Sequence, residues 1–213
     1  MTKNINHWYD GWFYDILIAP NQDQLFGQIK NLIDGRSKII DIGCGTGRLE
    51  FALAEKCKSV LGIDLSKRNI DRANLTLLRN PNSKISFKNS NISEIISEGH
   101  IHFDYAVLTY VIHEVDEEER IGLLKEISQV ADKIIIGDYL VPKPKGFGSY
   151  LSQIIEFIAG AEHYRNYKSF VAKGGIKYLA NMAGLKIINE ISNHPLTNHI
   201  VILAKQSTNT FFR

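Results

Sequence analysis

The residues best placed to do chemistry lie in one short run, Asp41-Ile42-Gly43-Cys44-Gly45-Thr46-Gly47. A hydrophobic stretch leads into it and a helix-forming stretch from Arg48 follows. Glycines at alternate positions allow a sharp turn, and they let backbone N–H groups approach a ligand at a helix N-terminus. A dinucleotide-binding turn would carry its third glycine at position 48, where Arg48 stands. Gly47 comes one residue early, and Asp41 adds a carboxylate before the turn. This form suits a ligand without a pyrophosphate, one that carries an ammonium and a carboxylate instead.

A second carboxylate, Asp64, ends the next hydrophobic run, 17 residues past Gly47. Farther on, Thr109-Tyr110-Val111-Ile112-His113-Glu114 follows a third such run, and Glu162-His163-Tyr164-Arg165 falls in a long connection. Histidine titrates near neutral pH, so His113 and His163 are the candidates for an activating base. For each a structural role stands beside the catalytic one: His113 as an anchor of the turn after its strand, His163 within a folded cap. Asp138, at the tip of a further strand, points towards the same region. His7, His100, His102, His194 and His199 show no metal-ligand spacing, so no metal site is expected. Cys44 reads as a small buried residue filling the turn and Cys57 as inert core.

The elements that must position these groups alternate between short β-branched runs and longer helical patterns, as in a parallel α/β sheet. Strands are expected at 37–42, 59–64, 85–88, 103–109 and 133–138, with a closing pair at 185–192 and 199–205. Helices are expected at 22–32, at 48–57, from Ser66 as cap to about Arg79, and at 175–183 with Gly184 just past the end. The acidic run Asp116-Glu117-Glu118-Glu119 reads as a helix start, with Asp116 as cap and Glu119 completing a capping box. The expected fold is one doubly wound α/β domain over residues 1–213: a seven-stranded, mostly parallel sheet with an antiparallel last strand and helices on both faces. Residues 1–36 form an N-terminal segment, with Trp8, Tyr9, Trp12, Phe13 and Tyr14 ahead of a helix. They read as helix-packing core, and a cation–π contact from Tyr9 or Tyr14 stays open. Residues 142–173 form a lid insert, because so long a connection is rarely structureless. The pattern Tyr150, Leu151, Ile154, Ile155, Ile158 suggests a helix within it. His163, Tyr164 and Arg165 are expected to face the acceptor.

With these residues in place, the glycine run is seen to resemble motif I of the class I, Rossmann-like S-adenosylmethionine-dependent methyltransferases, the small-molecule members in particular. The resemblance covers roughly residues 37–205 by element order. It implies that Asp41, Gly43, Cys44, Gly45 and Gly47 receive the amino-acid end of S-adenosyl-L-methionine, that Asp64 binds both ribose hydroxyls and that Leu65 packs on the adenine. Asn91 stands where the family has Asp, and with Ile92 it would meet the adenine amine. Ligands of open α/β sheets bind beyond the carboxyl ends of the strands, so Thr109 and Tyr110 would flank the sulfonium. Thr109 also replaces the acid of metal-dependent members. No Asn-Pro-Pro-Tyr or Asp-Pro-Pro-Tyr follows the fourth strand, which argues against methylation of DNA bases. The implied activity is methyl transfer to a small molecule, with S-adenosyl-L-homocysteine as product. The alternatives are an RNA or protein methyltransferase, a cofactor-holding protein without catalysis, and a dehydrogenase that the glycine register disfavours.

Composition sets outer bounds. The 213 residues are 44% hydrophobic and 23% charged, which fits a globular domain. With 25 basic and 23 acidic residues the net charge is +2, so neither nucleic acid nor an anionic membrane is called for as a partner. Two cysteines do not make a disulfide framework. No apolar run has signal-peptide or membrane-spanning length. The expectation is a cytoplasmic enzyme. Its oligomeric state stays open.

Overall fold

A computed structural model of the protein describes residues 19–99, 101–142, 160–193 and 198–206, with side chains from Gln22 onwards. The N-terminal aromatics, the pattern from Tyr150 to Ile158, His7, His100 and His194 lie outside these residues.

Seven strands form one sheet: β1 (Lys38–Ile42), β2 (Ser59–Asp64), β3 (Ile85–Asn89), β4 (Phe103–Thr109), β5 (Ala131–Tyr139), β6 (Leu185–Ser192) and β7 (Asn198–Lys205), in the order β3-β2-β1-β4-β5-β7-β6. Only β7 runs against its neighbours. The order reverses between β1 and β4, the switch point beyond which an open α/β sheet places its ligand.

Alternation along the strands builds two cores. On β1, Ile40 and Ile42 face the cluster that includes Leu124, Ile127 and Leu179, while Ile39 faces Leu25, Ile29 and Leu49. The first layer is covered by α4 (Ile92–Ser97), α5 (Arg120–Val130), α6 (Ala161–Ala172) and α7 (Gly175–Ala183). The second is covered by α1 (Ala19–Leu32) and α2 (Arg48–Leu53), while α3 (Lys67–Arg79) packs on β2 and β3. Ser66 caps α3 by accepting from Asn69 N–H at 3.3 Å. Gly184 closes α7 in the left-handed conformation.

Three expectations need correction. The helix after the glycine run ends at Leu53, not Cys57, and Lys56 N–H turns back to Leu53 O at 2.9 Å. Asp116 does not cap α5: the chain first turns, with Glu119 N–H on Asp116 O at 2.9 Å, and the helix starts at Arg120. The capping box occurs instead on α4, where Asn91 Oδ1 accepts from Glu94 N–H at 2.8 Å and Glu94 Oε2 accepts from Asn91 N–H at 3.3 Å. Finally, the described part of the 142–173 segment does not stand apart as a cap. Tyr167 and Phe170 of α6 are each 1% exposed and sit in the body of the protein. Among the described residues, no helix is long and apolar enough to cross a membrane.

Candidate functional site

The turn from β1 to α2 is built as the glycine spacing requires. Gly43, Gly45 and Gly47 all have positive φ, at 76°, 55° and 87°. Two of them also meet neighbours that admit no side chain. A Cβ on Gly43 would lie 2.5 Å from Val111 Cγ2, and one on Gly47 would lie 2.4 Å from Phe87 Cζ. Gly43 and Cys44 N–H both donate to Ile63 O, at 2.8 and 3.0 Å, which pins the turn to β2.

Asp64 closes β2 beside this turn. Its Oδ2 accepts from Gly45 N–H at 2.8 Å and its Oδ1 from Ser66 N–H at 2.7 Å. The carboxylate therefore ties the glycine turn to the start of α3. Next to it Leu65, 50% exposed, presents an apolar face that the protein itself leaves open. Asn89 Nδ2 holds the backbone there, donating to Asp64 O and Leu65 O at 2.8 and 3.0 Å. Asn91 stands at the head of α4 with its Oδ1 engaged by the capping box, and Ile92 is buried in the core.

Asp41 and Glu50 lie under the turn, 1% and 0% exposed. Burial drives both carboxyls far above the usual carboxylate range; Asp41 raises Glu50 further, whereas the hydrogen bond with Glu50 acts to lower Asp41. Burial likewise raises the Cys44 thiol, with Glu50, Asp41 and Asp64 adding to the effect, so it is no nucleophile at neutral pH. Glu50 passed unnoticed in the sequence, because Arg48–Leu53 reads there as an ordinary amphipathic turn.

A second group gathers at the ends of β4 and β5. Thr109 and Tyr110 are half-buried, and Tyr110 takes a positive φ of 56°, a costly conformation for a bulky side chain. Asn198 Nδ2 donates to the Tyr110 hydroxyl at 2.7 Å, and Asn193 and Gln28 continue this chain of amides. His113, with its side chain 2% exposed, places Nδ1 2.7 Å from Asp138 Oδ1. Asp138 also accepts from Tyr139 N–H at 2.7 Å. Tyr139 packs edge-on to His113, Tyr110 and Tyr167 with centroids 4.9 to 5.7 Å apart. Glu114 stands between the two candidate histidines, 4.0 Å from His113 Nε2 and 3.7 Å from His163 Nδ1.

The structure thus brings His113, His163 and Asp138 together with Tyr110. It does not bring Arg165 to them. That side chain is 69% exposed and lies 3.9 Å from Asp116 and from Glu162. Successive helix positions differ by about 100°, so His163, Tyr164 and Arg165 do not share a face. The residue that secures the loop is Arg120, 1% exposed. It donates to Val115 O at 2.8 Å, His113 O at 3.2 Å, Asn166 O at 2.7 Å and Ser169 Oγ at 3.0 Å. In the sequence it stands only as the end of an acidic run. His199, read as unrelated to any site, is buried beside Glu190 at 3.0 Å, opposite Asp138 in the strand register. His102 pairs with Asp132 at the surface.

Comparison with known proteins bears on this arrangement. Residues 39–133 match the family described as "Methyltransferase domain". A ubiquinone biosynthesis O-methyltransferase of Nitrosospira multiformis is 27% identical over 170 residues, covering 75% of this chain and 67% of that protein. O-methyltransferase 4 of Dictyostelium discoideum is 23% identical over 217 residues, 92% of this chain and 59% of its own length. The chain thus spans from about three fifths to two thirds of these relatives. In fold it is similar to magnesium protoporphyrin IX methyltransferase from Synechocystis PCC 6803 with bound SAH. That likeness has a TM-score of 0.64 at 17% identity and covers 89% of this chain and 85% of that one. The family match begins in β1, runs into β5 and takes in the glycine turn and Asp64, so residues 39–133 match a methyltransferase domain, on a sheet whose fold is similar to that of solved methyltransferases.

Proposed function

We propose that this chain transfers the methyl group of S-adenosyl-L-methionine to a small-molecule acceptor by in-line displacement. In this reading His113, oriented by Asp138, takes the acceptor's proton. The observation that carries this reading is the buried 2.7 Å contact between His113 Nδ1 and Asp138 Oδ1, at the ends of the strands next to the glycine turn. An acid on one ring nitrogen fixes the tautomer and raises the basicity of the other.

The residues present fit the cofactor. Gly45 faces open space, Gly43 and Gly47 let the turn pack directly on Val111 and Phe87, and Leu65 offers an apolar face beside the Asp64 carboxylate. Gly43 to Gly47 with Asp41 would take the amino-acid end and Asp64 the ribose. Leu65, Asn91 and Ile92 would border the adenine, and Thr109 and Tyr110 the methyl group. When bound, the cofactor supplies an activated methyl carbon, so the protein's part is positioning, exclusion of water and removal of a proton. Tyr110, Tyr139 and Tyr167 supply the apolar wall around His113. The 142–173 connection is proposed as the lid, anchored in the body of the protein through α6, with His163 of that helix bordering the acceptor. The O-methyltransferase relatives support an oxygen acceptor. The free, buried Cys44 and Cys57 fit a cytoplasmic setting.

The test is incubation with methyl-labelled S-adenosylmethionine and fractionated cell extract. Label should enter the small-molecule fraction, and it should do so equally in EDTA, since metal-free catalysis is expected. Label confined to RNA or protein would refute the acceptor class. Activity lost in EDTA and restored by magnesium would refute the metal-free mechanism.

A further inference from the structure

Glu50 has no part in the roles described so far, yet it is fully buried on the inner face of α2. Its carboxyl is in contact with that of Asp41. Asp41 Oδ1 and both Glu50 oxygens have no other hydrogen-bond partner among the described residues. Space for the pair comes from Gly62 of β2, which lies opposite Asp41 in the strand register. A Cβ there would fall 2.3 Å from Glu50 Oε1.

Two carboxylates in contact in a dry site repel, whereas one proton between them turns the contact into a hydrogen bond that satisfies both. Among the described residues, the groups facing the pair bring no positive charge to replace that proton. β2 contributes Asp64, the turn contributes the Cys44 thiol, and β4 places Val107 opposite Asp41. Burial raises both acids, which favours a proton held between them.

We propose that Asp41 and Glu50 share a proton in the ligand-free protein and release it when the ammonium end of an S-adenosyl ligand settles on the Gly43–Gly47 turn. This rests on the reading that the turn receives the amino-acid end. The O–H bond breaks, its electron pair stays on the carboxylate, and the proton passes to the buffer. The ligand's positive charge then does for the pair what the proton did. Coulomb energy in a poorly solvated site falls off slowly enough for this exchange to act through the turn. Glu50 is then a positioning residue: it acts on the ligand through Asp41.

The experiment is calorimetric titration with S-adenosylhomocysteine at pH 7 in buffers of different ionisation enthalpy. The wild type should release about one proton per ligand, seen as an observed heat that varies linearly with buffer enthalpy. Glu50→Gln donates its amide to an Asp41 that is already ionised, so its release should fall towards zero while binding persists. Infrared difference spectra of the wild type add a readout that does not depend on the variant's folding. The band of a protonated carboxyl should disappear on ligand addition. Binding without buffer dependence and without loss of that band overturns the proposal and leaves the cofactor site standing. Undiminished release from Glu50→Gln overturns it too, by placing the proton elsewhere. No binding at all removes the cofactor reading and the proposal together.

Discussion

Asp64 does two things at once. It holds Gly45 and Ser66 N–H, and in the proposed complex it accepts from the ribose hydroxyls. Asp64→Asn keeps the shape and loses the charged acceptor, so S-adenosylhomocysteine should bind about 30-fold more weakly, a loss of ~2 kcal/mol. Calorimetry that finds unchanged affinity would remove Asp64 from the site. For His113 the two roles left open by sequence predict different things. A proton acceptor predicts that His113→Gln and Asp138→Asn each lower transfer by about 100-fold or more with cofactor affinity intact. A mere anchor predicts a lower melting temperature with transfer preserved. Rates and melting curves on the same two variants decide between them.

At the scale of elements, the loop after β4 and helix α6 are joined through one guanidinium. Arg120→Ala would leave Val115, His113 and Asn166 carbonyls without their donor, and burial makes each such loss count. The expected destabilisation is ~3 kcal/mol by urea unfolding, with Arg120→Lys recovering little because one ammonium does not span four acceptors. A loss below about 1 kcal/mol would show that water replaces the side chain. The same contacts explain why α6 is not a detachable cap. A linker that replaces only residues 143–159 should leave cofactor binding intact. One that extends to Lys173 also removes Tyr167 and Phe170 from the interior, and it should cost the fold itself. Helix starts are where sequence reading slipped. Asn91 and Glu94 have the same three-residue spacing as Asp116 and Glu119, but only at Asn91 does the chain enter the helix at once. At Asp116 the chain first makes a turn, closed by Glu119 N–H on Asp116 O, and the helix begins at Arg120.

For the whole molecule, the acid pair carries a signature in stability against pH. Both pKa values are raised on folding, so the native state keeps a proton that the unfolded chain gives up. That contribution is complete below the unfolded carboxyl values of 3.8 and 4.5 and is lost as pH rises towards the folded value, about 8 for Asp41. Other acids, Glu94 and Glu117 among them, are lowered by hydrogen bonds and ion pairs and act in the opposite sense. The difference between the wild type and Glu50→Gln isolates the pair. The wild type's advantage over the variant should shrink steadily from pH 4 to pH 8 in thermal melts of the ligand-free protein. A constant difference would mean that no proton is held there.

The sequence by itself determined the sheet, the glycine turn and Asp64. Strand and helix periods and the turn glycines are local properties, written in residues a few positions apart. It left open what His113 does, and it hid Glu50, Arg120 and His199. Each of these takes its meaning from a partner far along the chain: Gly62 and Asp41 for Glu50, Asn166 and Ser169 for Arg120, and Glu190 for His199. A polar side chain in a helix or strand reads as solvated until tertiary packing shuts water out. Once buried, it must be paired or protonated, and only the folded chain decides which.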